Sequence, residues 1–215
     1  MLSQAEKGGV QNTIQNCVTV LQNDPVLADS IRLNLLSERI DIVKPMGWQR
    51  SGPTLTDTDM MYILRRMEKY GLYSEKRVSA AIRIVANENH YHPIRDYLND
   101  LKWDGAERIS HALHRFLGAA EDELTAEALK IFLLGAIKRV FHPGCKFEMM
   151  LCLVGGQGAG KSSFFRLLAI KDEWFSDDLR RLDDDNVFRK LQGHWIMEMS
   201  EMIATANATR ACAKN

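Results

Sequence analysis

Residues 155–162 read GGQGAGKS and match the pattern G-x-x-x-x-G-K-[ST] without a mismatch. An apolar run at residues 149–154 precedes this loop, and an apolar-periodic segment as far as Leu168 follows it. The order strand, loop and helix is typical of phosphate sites, because glycines let successive N–H groups face one concavity and the helix adds its positive dipole end. We therefore predict a cradle for a polyphosphate, with a structural glycine-rich turn as the alternative.

Individual residues of the loop are expected to bind different parts of the nucleotide and its metal ion. Lys161 is expected to reach the β- and γ-phosphates as a mobile point charge, and the Ser162 hydroxyl to bind the Mg²⁺ that bridges them. The predicted phosphate-binding set comprises Gly155, Gly156, Gln157, Gly158, Ala159, Gly160, Lys161, Ser162 and Ser163.

A carboxylate follows a second apolar segment. Residues 194–201, HWIMEMSE, predict a short strand with acids at its carboxyl end, where ligands bind in open α/β sheets. Phosphoryl transfer needs one carboxylate near Mg²⁺ and often a second to orient water. We predict Ser162 and Glu198 as metal ligands and Lys161, Glu198 and Glu201 as catalytic groups. The spacing leaves the roles of the two glutamates open, and two exposed glutamates at a strand end are the alternative.

The region before residue 93 has mostly helical periodicity. Apolar spacing predicts a helix over residues 10–21, and Asp24-Pro25 predicts the start of a second helix towards Arg39. Thr56 or Asp57 is expected to cap a helix that Gly71 ends, and Ser74 to cap the next. Six cations on this helix pair could touch a phosphate backbone, although such a surface is more often a solvated face: Arg65, Arg66, Lys69, Lys76, Arg77 and Arg83.

The region from residue 93 leads into the loop. Helices are predicted from Pro93, over residues 109–117 as far as Gly118, and from Thr125 to near Pro143, the last one buried against a sheet. Residues 183–185 are expected to lead a helix that Gly193 closes. The predicted class is α/β, with a mostly helical region at residues 1–92 and a helical lead-in plus incomplete P-loop NTPase at residues 93–215. Its parallel sheet should carry helices on both faces.

Composition excludes several classes of protein. Lysine and arginine total 28 and so do aspartate and glutamate, so no global charge indicates nucleic acid or a membrane surface. The longest apolar stretch, residues 131–137, is too short for a membrane span, and the four cysteines form no C-x-x-C pair. We therefore predict a cytoplasmic protein without a membrane partner.

Three classes of P-loop protein compete. A GTPase should carry an Asn/Thr-Lys-x-Asp base reader, and no such tetrapeptide occurs in the sequence. A small-molecule kinase often uses lid arginines, for which Arg180 and Arg181 are the nearby residues. An ATP-driven motor should place a glutamate at the end of the second strand, as Glu198 does. The motor is therefore favoured.

A series of short blocks resembles the virulence-associated protein E family between about residues 92 and 203. The blocks are HPIRDYL at 92–98, LKWDG at 101–105, RI at 108–109, RV at 139–140, PGCKF at 143–147, the loop at 155–162, WFSD at 174–177 and QGHWI at 192–196, followed by Glu198 and Glu201. The family comprises phage and prophage proteins similar to superfamily 3 DNA helicases and primase-linked ATPases. The resemblance implies an ATP- and Mg²⁺-dependent motor of phage or mobile-element DNA replication. It also implies single-stranded DNA as a partner and a homo-oligomeric ring in which a neighbour's arginine completes each site.

The match departs from the family near its end. The sequence runs 14 residues beyond Glu201, whereas family members continue well past this point. The family's next strand should lie between residues 149–154 and 195–199, so without it we expect these two strands either to pair directly or to leave a loose domain. The resemblance thus implies a feeble ATPase, or alternatively a catalytically silent remnant or regulatory nucleotide-binding fragment.

Overall fold

The computed structural model describes residues 2–4, 9–179 and 187–199. The chain divides into two compact units, Met1–Pro93 and Ile94–Asn215. Helices and strands are both present and the N-terminal region is mainly helical, which confirms the mixed class. Within the described residues the strands form two small sheets of two strands each. The acids at residues 183–185 that were expected to lead a helix lie outside the described residues.

Three helices form most of the regular secondary structure of the first unit, and local caps explain where they begin. They are α1 (Ile14–Asn23), α2 (Asp57–Met67) and α3 (Glu75–Glu88). Thr56 and Asp59 form a reciprocal capping box at the start of α2. A single 3-10 turn follows α2, and Gly71 ends it with a left-handed φ of 74°. The helices predicted after Thr56 and after Ser74 are thereby confirmed. The helix predicted over residues 10–21 is confirmed from Ile14 onwards, whereas Val10 forms a β-bridge with Gln4.

The segment after α1 is a hairpin, so the prediction of a helix from Asp24 to Arg39 is wrong. Strands β1 (Ile31–Asn34) and β2 (Arg39–Ile42) pair antiparallel. The Asp24 carboxylate accepts hydrogen bonds from the N–H groups of Val26 and Leu27, which turns the chain instead of starting a helix. The apolar residues that follow alternate with a period of two, the pattern of a half-buried strand.

The core of the first unit joins its helices and its hairpin. Leu21 of α1, Met67 of α2 and Val78 of α3 are fully buried in one apolar cluster that also includes Ile31 of β1. Because each helix contributes one apolar face, burial of these side chains is the main stabilising term for the unit.

The second unit contains five helices and one short parallel pair within its described part. The helices are α4 (Pro93–Asp100), α5 (Ile109–Leu117), α6 (Glu123–Phe141), α7 (Lys161–Leu168) and α8 (Val187–Leu191). Strands β3 (Phe175–Ser176) and β4 (Ile196–Met197) pair in parallel. The predicted helices that begin at Pro93, end at Gly118 and follow the loop are confirmed.

Residues 149–154 adopt no regular secondary structure, so the strand predicted before the loop is wrong. The side chain of Val154 is 99% exposed and Cys152 is exposed as well. A strand needs a neighbour for its N–H and C=O groups, and no strand of the described chain pairs with this segment. β4 pairs with β3 instead, so the direct pairing of residues 149–154 with residues 195–199 does not form.

Helix α6 differs from its prediction in two respects. It begins at Glu123 because Asp122 is the N-cap and accepts the N–H of Thr125, which was expected to be the cap. Its burial was also overestimated, since Leu134 is 57% exposed. The buried residues of the helix are Leu129, Gly135 and Val140, and the ring of Phe147 occupies the space that a side chain at Gly135 would need.

Within the residues that the structure describes, no helix is both long and apolar enough to cross a membrane.

Asp59 is a buried carboxylate with several hydrogen-bond partners in the first unit. Its carboxylate accepts hydrogen bonds from the indole of Trp48 at 2.7 Å, from Arg50 at 2.8 Å and from the N–H of Thr56 at 2.9 Å. Burial acts to raise the pKa of Asp59, but the hydrogen bonds from Arg50, Trp48 and Thr56 outweigh it and hold the pKa well below its usual range. The carboxylate therefore ties the loop before α2 to the first turn of that helix.

We predict that Asp59→Ala lowers the free energy of unfolding of the first unit by roughly 3 kcal/mol, because it leaves the mostly buried Arg50 without its carboxylate partner and removes one half of the capping box. Asp57→Ala is the matched control, since Asp57 is an exposed acid in the same helical turn and should cost less than about 1 kcal/mol. Urea unfolding followed by circular dichroism measures both. Equal effects of the two substitutions would contradict the assignment.

Candidate functional site

The loop at residues 155–162 turns through two left-handed glycines. Gly158 and Gly160 both have a φ of 80°, a conformation that costs a residue with a side chain roughly 1–2 kcal/mol. Gly160 is the N-cap of α7, so the helix starts directly at Lys161. The first N–H groups of α7, which lack partners within the helix, therefore follow the loop directly, an arrangement typical of anion sites.

Lys161 lies folded over the loop. Its ammonium donates to the carbonyl oxygen of Gly155 at 2.9 Å and to that of Gly156 at 2.7 Å. Both acceptors are neutral, and no carboxylate forms an ion pair with Lys161 within the described residues. The positive charge at the loop is thus hydrogen-bonded but not neutralised.

Ser162 and Glu198 meet although they are 36 residues apart in sequence. The Ser162 hydroxyl donates to the Glu198 carboxylate, with 2.7 Å between Oγ and Oε1. The N–H of Glu198 donates to the carbonyl of Ser176 at 2.8 Å, which extends the β3–β4 pairing by one step. The parallel pair therefore fixes Glu198 directly after β4 and opposite the first turn of α7.

The donor set at this contact suits a hard divalent cation. The second carboxylate oxygen of Glu198, Oε2, is buried and has no hydrogen-bond partner among the described residues. Mg²⁺ prefers oxygen ligands and uses one or two protein groups together with phosphates and waters. The described chain holds no cluster of three or more His, Cys, Asp or Glu side chains that could bind a metal. One hydroxyl and one carboxylate accordingly fit Mg²⁺ that arrives with a polyphosphate.

The remaining residues of the predicted site have simpler positions. Gln157, Ala159 and Ser163 are exposed, and the N–H of Ala159 faces the carbonyl of Gly156 at 3.4 Å within the turn. Glu201 lies outside the described residues, as do Arg180 and Arg181. The structure therefore brings together the loop, Ser162 and Glu198.

Aromatic contacts that periodicity did not reveal hold β4 in place. The indole N–H of Trp195, next to β4, donates to the carbonyl of Ala136 in α6 at 3.2 Å. The rings of Trp174 and Trp195 meet edge to face with centroids 6.3 Å apart. One feature of the sequence could have indicated this role, because each tryptophan lies directly before the apolar first residue of a short strand.

Two cavities flank the loop. One of about 520 Å³ is lined by Gly155, Gly156 and Lys161 together with parts of α5, α6 and residues 151–154. The other, of about 470 Å³, is mostly apolar and lies between α5, α6 and α7, with Gly160 and Ser163 at its edge. The loop is consequently bordered by a cavity of mixed lining on the side of Lys161 and by an apolar cavity on the side of Ser163.

Comparison with protein-family models gives one match, to the virulence-associated protein E-like domain, over residues 98–215. The match covers more than half of the chain. The chain belongs to this family. Membership indicates a phage-associated protein, and the matched virulence-associated protein E-like region includes the loop, Ser162 and Glu198. A search of curated proteins finds no match to the chain.

We predict that Gly160→Ala destabilises the second unit by roughly 1–2 kcal/mol, because alanine resists the left-handed φ of 80°. The cause is the backbone, since a Cβ at Gly160 would meet Leu117 at an ordinary 3.9 Å. Gly156→Ala is the matched control, with no positive φ and nothing within 4 Å of its Cβ. Urea unfolding measures both variants, and an equal loss of stability would contradict the strained-turn assignment.

Proposed function

We propose that this virulence-associated protein E-like chain binds ATP with Mg²⁺ at residues 155–163 and hydrolyses it. The observation that carries the proposal is the 2.7 Å hydrogen bond between Ser162 and Glu198 at the start of α7. A hydroxyl and a carboxylate placed together beside a glycine-rich loop are the protein ligands expected of a P-loop NTPase.

Each loop residue has a role in this proposal. The curled backbone and the first N–H groups of α7 bind the phosphates, aided by the helix dipole. Lys161 exchanges the carbonyls of Gly155 and Gly156 for the β- and γ-phosphates, a short movement because its ammonium already lies over the loop. Bound Mg²⁺ supplies neutralisation of the phosphate charge.

The two glutamates are proposed to have different roles. Glu198 orients the Ser162 hydroxyl through Oε1 and offers its buried Oε2 to the metal. Glu201 is proposed as the group that orients the attacking water. We expect slow hydrolysis, well below one turnover per second, because residues 149–154 have no strand partner in the described chain and contact the core through Leu151 and Leu153 alone.

The family resemblance extends the proposal to a DNA-directed motor in the cytoplasm of a phage-infected or prophage-carrying cell, working as a homo-oligomeric ring. In the first unit Lys69, Lys76 and Arg83 are exposed and form no ion pair with described residues, so they could meet the phosphates of single-stranded DNA. Arg66 is less suited to this role because it is hydrogen-bonded to the buried Asp24.

A second candidate function is nucleotide binding without turnover. The segment at residues 149–154 favours it, because it has no strand partner among the described residues and catalysis needs a site held more rigidly than binding does. The two candidates make the same prediction for binding and opposite predictions for hydrolysis.

The kinase alternative rested on Arg180 and Arg181, which the structure does not describe.

We predict that Lys161→Ala weakens binding of Mg-ATP at least about 100-fold, because it removes a charge-assisted contact to the phosphates. Lys146→Ala is the matched control, since Lys146 is an exposed lysine that pairs with Glu148 and does not belong to the loop. Isothermal titration calorimetry measures both. Binding that survives Lys161→Ala would contradict the proposed site.

Hydrolysis assays with and without single-stranded DNA separate the two candidates. A motor should hydrolyse ATP slowly alone and faster with single-stranded DNA, and Lys161→Ala should remove both activities. Tight binding of Mg-ATP with no turnover under either condition would favour the silent nucleotide-binding protein.

A further inference from the structure

The apolar cavity beside the loop is the feature that the phosphate site leaves unexplained. It has a volume of about 470 Å³, within the usual range of about 300–1,000 Å³ for pockets that hold small ligands. Helices α5, α6 and α7 line it with mainly apolar side chains, among them Ile109, Phe116, Phe164 and Leu167.

The cavity retains exposed apolar surface that packing within the described unit does not cover. Phe116 is 65% exposed and Leu167 is 76% exposed, and both line the cavity. The ring of Phe116 lies 6.4 Å from that of the buried Phe164, which supports it from one side. One aromatic face at the edge of an apolar cavity is suited to stacking against a flat, apolar ring.

The position of the cavity relative to the loop indicates which part of a bound nucleotide would lie in it. In the proposed site Lys161 would contact the β- and γ-phosphates, and Ser162 with Glu198 would hold the metal. None of these three side chains lines the apolar cavity, whereas Gly160 and Ser163 do. Lys161 lines the other cavity instead. The apolar cavity thus opens from the loop on the side away from the terminal phosphate.

We propose that this cavity receives the purine base of the bound nucleotide. The base stacks on the ring of Phe116, and Leu167 covers the opposite face of the base. The inference rests on the proposed nucleotide site, because its occupant is held by phosphates on the adjoining loop. The continuity of the cavity with Gly160 and Ser163 selects the base as the occupant, since any nucleotide anchored at the loop carries its base a short covalent distance away.

The lining also indicates how the base is selected. Among the described lining residues, the polar side chains are those of Arg108 and Ser163. The Arg108 guanidinium is already engaged by the Asp104 carboxylate through contacts of 2.8 and 2.6 Å. With few donors or acceptors left for a base edge, the cavity recognises a purine by shape and stacking and discriminates poorly between adenine and guanine.

The test compares a nucleotide with its phosphate chain alone, by calorimetry on the full chain with Mg-ATP, Mg-GTP and Mg-tripolyphosphate. We expect ATP to bind at least about ten-fold more tightly than tripolyphosphate, which is the contribution of one stacked base. ATP and GTP should agree within about ten-fold. Phe116→Ala should lower the affinity for ATP until it approaches the affinity for tripolyphosphate. The affinity for tripolyphosphate itself should not change.

Leu167→Ala is a second variant, chosen because a mostly exposed leucine can be truncated without unfolding the unit. Phe188→Ala is the matched control, since Phe188 is 82% exposed on α8 and does not line the cavity. Leu167→Ala should lower the affinity for ATP, as Phe116→Ala does, without changing the affinity for tripolyphosphate. Phe188→Ala should change the affinity for neither ATP nor tripolyphosphate.

The outcomes separate this inference from the proposed function. Equal binding of ATP and tripolyphosphate would overturn the base cavity and leave the phosphate site standing. A change in oligomeric state on Phe116→Ala with unchanged ATP affinity would assign the cavity to a second copy of the chain and overturn the inference. A preference between the two purines above about 100-fold would contradict recognition by stacking. Binding of neither ligand would overturn both proposals.

Discussion

The hydrogen bond between the Ser162 hydroxyl and the Glu198 carboxylate is the contact on which the candidate site depends. It joins the first turn of α7 to the end of β4 across 36 residues of sequence. Pairing of β4 with β3 and the contacts of Trp195 with Trp174 and with α6 set the position of Glu198. Without this support the glutamate would have no fixed relation to the loop.

Support for the loop is uneven on its two sides. On the helical side, Phe164 of α7 is buried against Leu113 of α5 and Leu129 of α6, so the start of α7 is held by a small apolar core. On the other side, residues 149–154 enter the loop without strand pairing among the described residues, although Leu151 and Leu153 pack against the same core. This contrast explains why the geometry argues more strongly for binding than for rapid turnover, since catalysis demands closer positioning than binding does.

The sequence predicted those elements whose signals are local. The capping box of Thr56 and Asp59 and the glycine stops at Gly71 and Gly118 depend on neighbours within four residues, and these helices are where the patterns indicated. The loop was equally readable because its glycines, lysine and serine are contiguous. Sequence also named Glu198, although its position opposite Ser162 is a tertiary contact that spacing could not give.

Predictions failed where the outcome depended on distant partners. Asp24-Pro25 resembles a helix start, but Arg66 and Tyr70 engage the Asp24 carboxylate from α2 and the adjoining 3-10 turn and stabilise a turn there. Residues 149–154 have the composition of a buried strand, but strand formation requires a neighbour, which composition cannot supply. The apolar cavity beside Ser163 was invisible for the same reason, because three helices from different parts of the chain line it.

The most direct test of the account is a double-mutant cycle on the affinity for ATP, with Ser162→Ala, Glu198→Gln and the double variant measured by calorimetry with and without Mg²⁺. If the two side chains form one metal site, their effects in Mg²⁺ should be non-additive by roughly 1 kcal/mol or more, and the coupling should be smaller without the metal, where only their direct hydrogen bond remains. Additive effects in the presence of Mg²⁺ would show that the hydroxyl and the carboxylate act independently and would contradict the account.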